Sequence, residues 1–126
     1  MNKDIAISNV CKLSVNYKTV GSMSINDWVR KSGWFSYKNS ITVDDIRRFL
    51  TSNPQLADNW LIYSGNKRTD RGWYFSKNSK DDSFNVGYFE SKVGLTKETK
   101  YQQSIDACAQ FIFNEFQHFN IDSVTE

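Results

Sequence analysis

Apolar and polar positions alternate along the chain with changing periods, and each period predicts an element. From Cys11 to Tyr17, Leu13, Val15 and Tyr17 alternate with polar neighbours, the period of two expected of a half-buried strand. Ser24-Ile25-Asn26-Asp27 then caps a short helix through Lys31, with Ile25, Trp28 and Val29 on one side and Gly33 as its stop. Trp34, Phe35 and Tyr37 follow in an extended or irregular connection. Thr42-Val43-Asp44-Asp45 reads as a capping box, in which a hydroxyl and a carboxylate satisfy free amides at a helix start. That helix runs to about Thr51, with Val43, Ile46, Phe49 and Leu50 on one face and Arg47 and Arg48 towards solvent. Asn53-Pro54 ends it, because the residue before proline avoids the helical region.

Three strands follow in this reading: Asn59 to Ser64, Gly72 to Lys77 and Phe84 to Glu90, joined by polar connections short enough for antiparallel hairpins. Gly87 removes a side chain where a helix or a ring could approach. Lys92 to Lys100 is polar and reads as a loop. From Tyr101 to Phe119, Tyr101, Ile105, Cys108, Ala109, Ile112, Phe116 and Phe119 recur at spacings of three and four, a long amphipathic helix that covers the sheet. The expected fold is α+β in a single domain over residues 1–126. It has an antiparallel three-stranded meander plus an N-terminal strand, packed against a long C-terminal helix and one or two shorter helices.

Composition sharpens this picture at three points. The chain of 126 residues carries 9 Phe, 6 Tyr and 4 Trp, so rings dominate the core and some reach the surface. Lys and Arg number 16 against 14 Asp and Glu, and a net charge of +2 is too small for the broad positive field of a dedicated nucleic-acid binder. No window approaches the run of about 18 apolar residues that a membrane span needs, which leaves a cytoplasmic protein as the simplest expectation. Cys11 and Cys108 lie far apart with no CxxC spacing, and read as reduced structural thiols.

Candidate chemistry is sparse. The single histidine, His118, sits near the end of the last helix, where its charged form suits the helix dipole. Asp44/Asp45 and Asp81/Asp82 are paired carboxylates, but a helix start and a turn explain them locally. No phosphate loop, HExxH or EF-hand motif is present, so no metal, cofactor or small-molecule substrate is expected. A nuclease assembled from distant segments would draw on Lys67, Arg71, Glu90 and His118. An RNA-binding module would set Arg68 and Arg71 on phosphates and stack a base on Trp73 or Tyr74. A protein-binding patch would use the same basic and aromatic residue types, because Trp, Tyr and Arg concentrate interface energy. Against all three stands the ordinary reading, in which strand rings fill a core and loop cations are solvated.

The stretch DNWLIYSGNKRTDRGWYFSKN, followed by FNVGYFES and the aromatic helix with IDACAQFIFNEF, resembles small bacterial immunity proteins. These single-domain inhibitors neutralise a cognate polymorphic toxin, including those of contact-dependent growth inhibition systems. The resemblance implies a non-catalytic, cytosolic protein that blocks a toxin in a 1:1 complex, and it transfers no individual binding residue. Immunity proteins against basic nucleases are often acidic, whereas this chain is slightly basic, so its partner's surface should be acidic or largely apolar. On this reading the segment Gly65 to Arg71 is a hairpin connection at a protein-binding edge, with Lys67, Arg68, Arg71 and Trp73 as contact residues.

Overall fold

The computed structural model describes residues 1–20, 23–66 and 71–119. Among them are six helices and three strands: α1 (Lys3–Val20), α2 (Ile25–Ser32), α3 (Trp34–Tyr37), α4 (Val43–Ser52), α5 (Gln55–Gly65), β1 (Arg71–Lys77), β2 (Phe84–Glu90), β3 (Gly94–Tyr101) and α6 (Ser104–His118). The α+β class and the C-terminal helix agree with the sequence reading. More of the N-terminal half is helical than that reading expected, and no N-terminal strand is formed.

The segment Cys11 to Tyr17 belongs to α1. The buried positions of this helix are Ala6, Ile7, Val10, Cys11, Leu13 and Ser14, which recur mainly at spacings of three and four. Within the seven-residue window the alternation of Leu13, Val15 and Tyr17 mimicked a strand, yet Val15 is only half-buried and Tyr17 is exposed. Trp34 to Tyr37 likewise forms the short helix α3 rather than an extended connection. Asn59 to Ser64, read as a strand, lies inside α5, whose buried Leu56, Ala57, Trp60 and Ser64 again follow the helical period. Pro54 explains this second error. It closes α4 and also occupies the start of α5, where its fixed φ and missing N–H carry no penalty.

Two helix starts are built as their sequences predict. The Ser24 hydroxyl accepts the Asp27 N–H at 3.2 Å, and α2 ends at Gly33 in the left-handed region with φ +94°. At α4 the Thr42 hydroxyl accepts the Asp45 N–H at 3.1 Å, while the Asp45 carboxylate accepts the Thr42 N–H at 3.0 Å. The capping box is therefore complete even though aspartate is shorter than the usual glutamate.

The sheet is a meander in the order β1-β2-β3, both pairs antiparallel, so its third strand is β3 and not Asn59 to Ser64. β3 escaped notice because Lys97, Glu98, Thr99 and Lys100 are all exposed, and an edge strand facing water carries no apolar period to read. The opposite edge is closed by α5: the buried Ser64 hydroxyl accepts the Phe75 N–H at 2.7 Å. α6 lies over one face of the sheet, with the Phe111 ring 5.9 Å from that of Phe75. On the other face Tyr74 lies across Gly87 and donates to the Glu98 carboxylate at 2.5 Å. A Cβ at Gly87 would stand 2.4 Å from the Lys97 carbonyl and 2.6 Å from Tyr74 Cζ, so only glycine fits.

The core gathers α1, α4, α5, α6 and the inner sheet face around Trp34, Trp60, Phe75, Phe111 and Phe116, all essentially without solvent contact. Its rings meet edge-on or tilted, for example Trp60 with Tyr63 at 5.0 Å and with Phe111 at 5.9 Å. Two of its polar groups are bonded where these rings meet: Trp60 Nε1 donates to the Cys11 carbonyl at 2.8 Å, and the Tyr63 hydroxyl donates to the buried Glu115 carboxylate at 3.0 Å, whereas the buried Trp34 Nε1 has no acceptor among the described residues. Among the described residues no helix is long and apolar enough to cross a membrane.

Candidate functional site

The residues that sequence reasoning singled out fall into three groups. Lys67 and Arg68 lie outside the described residues. Arg71 and Trp73 are placed on β1, but the segment before them is not a hairpin connection: because Asn59 to Gly65 is helical, it joins the end of α5 to the start of β1. His118, Glu90 and Tyr88 arrive at the same end of the molecule, although they are distant in sequence.

Strand register does this. Arg71 pairs with Glu90, and two residues further along Trp73 pairs with Tyr88, which in turn pairs with Lys97 on β3. Directly opposed residues in an antiparallel pair project to the same face, and positions two apart share that face. Trp73 is two residues from Phe75, which meets Phe111 of α6, so this row lies on the helix-covered side. The helix, however, runs out before it reaches the row's end. Its last residue, His118, has its ring 6.5 Å from that of Tyr88, and beyond it Arg71 and Glu90 extend past the cover.

The result is a shelf of half-buried rings bordered by charge. Trp73 and Tyr88 stand edge to face with centroids 5.3 Å apart, a geometry that adds roughly 0.5–1.5 kcal/mol to simple burial. No ion pair or hydrogen bond among the described residues engages the side chains of Arg71, Glu90, Lys97 or His118. On α4, by contrast, Asp44 meets both Arg47 and Arg48, and Asp45 meets Arg48 at 2.7 Å and Lys3 at 3.2 Å. Burial would raise the Asp45 carboxyl, but its bonds with Thr42, Lys3 and Arg48 outweigh that and lower its pKa.

The other paired carboxylates also have local explanations. Asp81 accepts from both the hydroxyl and the N–H of Ser83 and bonds Lys100 at 3.1 Å, which holds its carboxyl down at about 2. Burial pushes the Cys11 thiol up to about 12 and raises that of Cys108 as well, so neither is poised as a nucleophile. Both are free and buried. Burial, and then the charge of Glu115, keeps the Tyr63 hydroxyl protonated far above its ordinary range.

No family model, curated protein or solved structure matches the chain.

What the arrangement offers chemically is recognition. Two rings give rigid apolar area at small entropic cost, and a guanidinium, an ammonium, an imidazole and a carboxylate with no ion-pair partners among the described residues supply direction around them. Three members of the nuclease set, Arg71, Glu90 and His118, converge on this end, and the fourth, Lys67, lies outside the described residues. Tyr74, a candidate base-stacking ring, is on the opposite face and bonded to Glu98. Sequence reading missed Lys97, hidden in a stretch taken for a loop. It also overlooked Phe89 and Val93, whose exposure at this end depends on the turn between β2 and β3; the Val93-Gly94 pair within a polar run was the available signal.

Proposed function

We propose that this chain is a non-catalytic, immunity-type protein of the bacterial cytoplasm that binds a cognate toxin 1:1 and neutralises it by covering its active site or a nearby surface. The observation that carries the reading is the half-buried Trp73–Tyr88 pair, held edge to face at 5.3 Å with Arg71 and Lys97 beside it. Trp, Tyr and Arg in a well-packed, partly desolvated setting are the residue types in which binding energy concentrates. An interface centred there would bury on the order of 1,500 Å². Arg71 and Trp73 are its contact residues on this reading, with Lys67 and Arg68 on the segment leading into it.

The test is affinity capture of the tagged chain from its host, followed by gel filtration at protein and nucleic-acid wavelengths and mass spectrometry of what co-elutes. One dominant protein at equal stoichiometry is expected. Its affinity should fall roughly tenfold or more in Trp73→Ala and less in Arg71→Ala, with stability lowered by about 1 kcal/mol in the first and scarcely in the second. Affinity unchanged in both variants would remove the shelf from the interface, and nucleic acid without a protein would overturn the function.

A further inference from the structure

Single exposed apolar side chains are ordinary on a protein surface, but two of them lie close in sequence at one end of this sheet. Phe89, 40 % exposed, is near the end of β2, and Val93, 67 % exposed, is in the turn that leads to β3. The same turn adjoins Glu90, the cross-strand partner of Arg71, so the apolar pair and the aromatic shelf share one end of the molecule. Phe89 alternates with Tyr88 and therefore faces away from α6. The tip is consequently apolar on the side opposite the shelf and at its apex.

A backbone hydrogen bond closes the turn. The Val93 N–H donates to the Glu90 carbonyl at 3.2 Å, and Gly94 follows in the left-handed region at φ +76°. Nothing lies within 4 Å of where a Gly94 Cβ would stand, so glycine is needed there for backbone conformation and not for space. Strand pairing persists to Glu90 and Gly94, and a bulge shifts the register between Tyr88, paired with Lys97, and Phe89, paired with Leu95. A bulge increases local twist and re-aims the end of a hairpin. Among the described residues, charge at this tip is mostly positive: Lys92 at the apex, with Arg71 and Lys97 behind it, against Glu90 and, further along the Phe89 face, Glu98, which is bonded to Tyr74.

Resting on the reading of a protein partner, we infer that the β2–β3 turn is the anchor of the complex. It inserts Phe89 and Val93 into an apolar pocket of the partner whose rim carries carboxylates facing Lys92, Lys97 and Arg71. A hairpin closed by strand pairing and a turn hydrogen bond loses less conformational freedom on docking than an open loop would, and the surrounding cations select an acidic rim. The chain then acts as a plug entering a concavity, and the Trp73–Tyr88 shelf closes over the rim.

The test uses the full-length tagged chain and the protein that co-elutes with it at 1:1. Val93→Asp and Phe89→Ser should each weaken that complex roughly tenfold or more, and Lys92→Glu by several-fold with a reduced salt dependence. Thr51→Asp, at an exposed position near the end of α4, should leave it unchanged. A benzophenone side chain placed at position 93 should crosslink to an apolar stretch of the partner flanked by Asp or Glu. Wild-type affinity in both tip variants would overturn the anchor while leaving partner binding intact. Absence of any 1:1 protein, or capture of RNA in its place, would overturn the anchor and the partner reading together. If Phe89→Ser lowers the unfolding temperature, Val93→Asp alone decides, because that residue is two-thirds exposed.

Discussion

Two groups of rings in this molecule have similar composition and opposite settings. Around Trp60, the side chains of Tyr63, Phe111 and Phe116 form a cluster in which the indole N–H and the phenol each have an acceptor. Around Trp73, the rings of Tyr88 and His118 meet edge-on or tilted at the limit of the α6 cover, bordered by charges with no ion-pair partners among the described residues. Ring content alone therefore does not separate core from site. What separates them is whether a helix extends far enough to exclude water.

That contrast can be broken by mutation. Trp60→Ala should cost about 3–5 kcal/mol of stability, as large-to-small changes in sealed cores do, whereas Trp73→Ala should cost about 1 kcal/mol and show its main effect in binding. Chemical denaturation of both variants checks this, and equal losses would mean that the shelf is core. High pH should also find the sealed cluster. A thiol whose pKa is raised in the folded protein stabilises it below the unfolded value and ceases to do so as pH climbs to the folded one. The contribution of Cys11 should thus be intact below pH 9.0 and lost progressively towards about 12, a change of roughly 4 kcal/mol. The raised Tyr63 adds to the loss above its ordinary value of 10.0. Cys11→Ala should flatten the fall in unfolding free energy between pH 9 and 12; an unchanged slope would show that the thiol is not sealed.

Smaller effects sharpen the comparison further. Glu115→Ala removes the carboxylate that accepts from Tyr63 and should cost on the order of 1–3 kcal/mol. Arg71→Ala should shift thermal unfolding scarcely at all, within about 0.5 kcal/mol, because no ion pair among the described residues engages it. A large loss would reveal a structural role for that end of β1.

Elements whose boundaries carry their own chemistry were legible in the sequence. Ser24 and Gly33 frame α2, Thr42 and Asp45 build the capping box of α4, and the long period of α6 stands out even where its start was placed at Tyr101 instead of Ser104. Short windows misled. Cys11 to Tyr17 and Asn59 to Ser64 imitate strands because each excludes the preceding buried residues, Ala6 to Val10 and Leu56 to Ala57, that complete a helical stripe. β3 was invisible for the opposite reason, since both of its faces meet water over Lys97 to Lys100. The candidate site was half legible. Arg71 and Trp73 could be chosen by residue type, but Lys97, Phe89 and Val93 acquire meaning only from strand register.

The ring of Tyr74 lying over Gly87 carries a consequence for how this sheet can change over time. Tyr74 serves as the missing side chain of Gly87, bridging the middle strand to Glu98, so positions 74 and 87 form one heritable unit. A methyl group at 87 must displace the ring as well as crowd the backbone of β3, while a smaller residue at 74 uncovers a glycine in mid-strand. Either change alone should destabilise the sheet, so substitution at one position is expected to require a compensating change at the other.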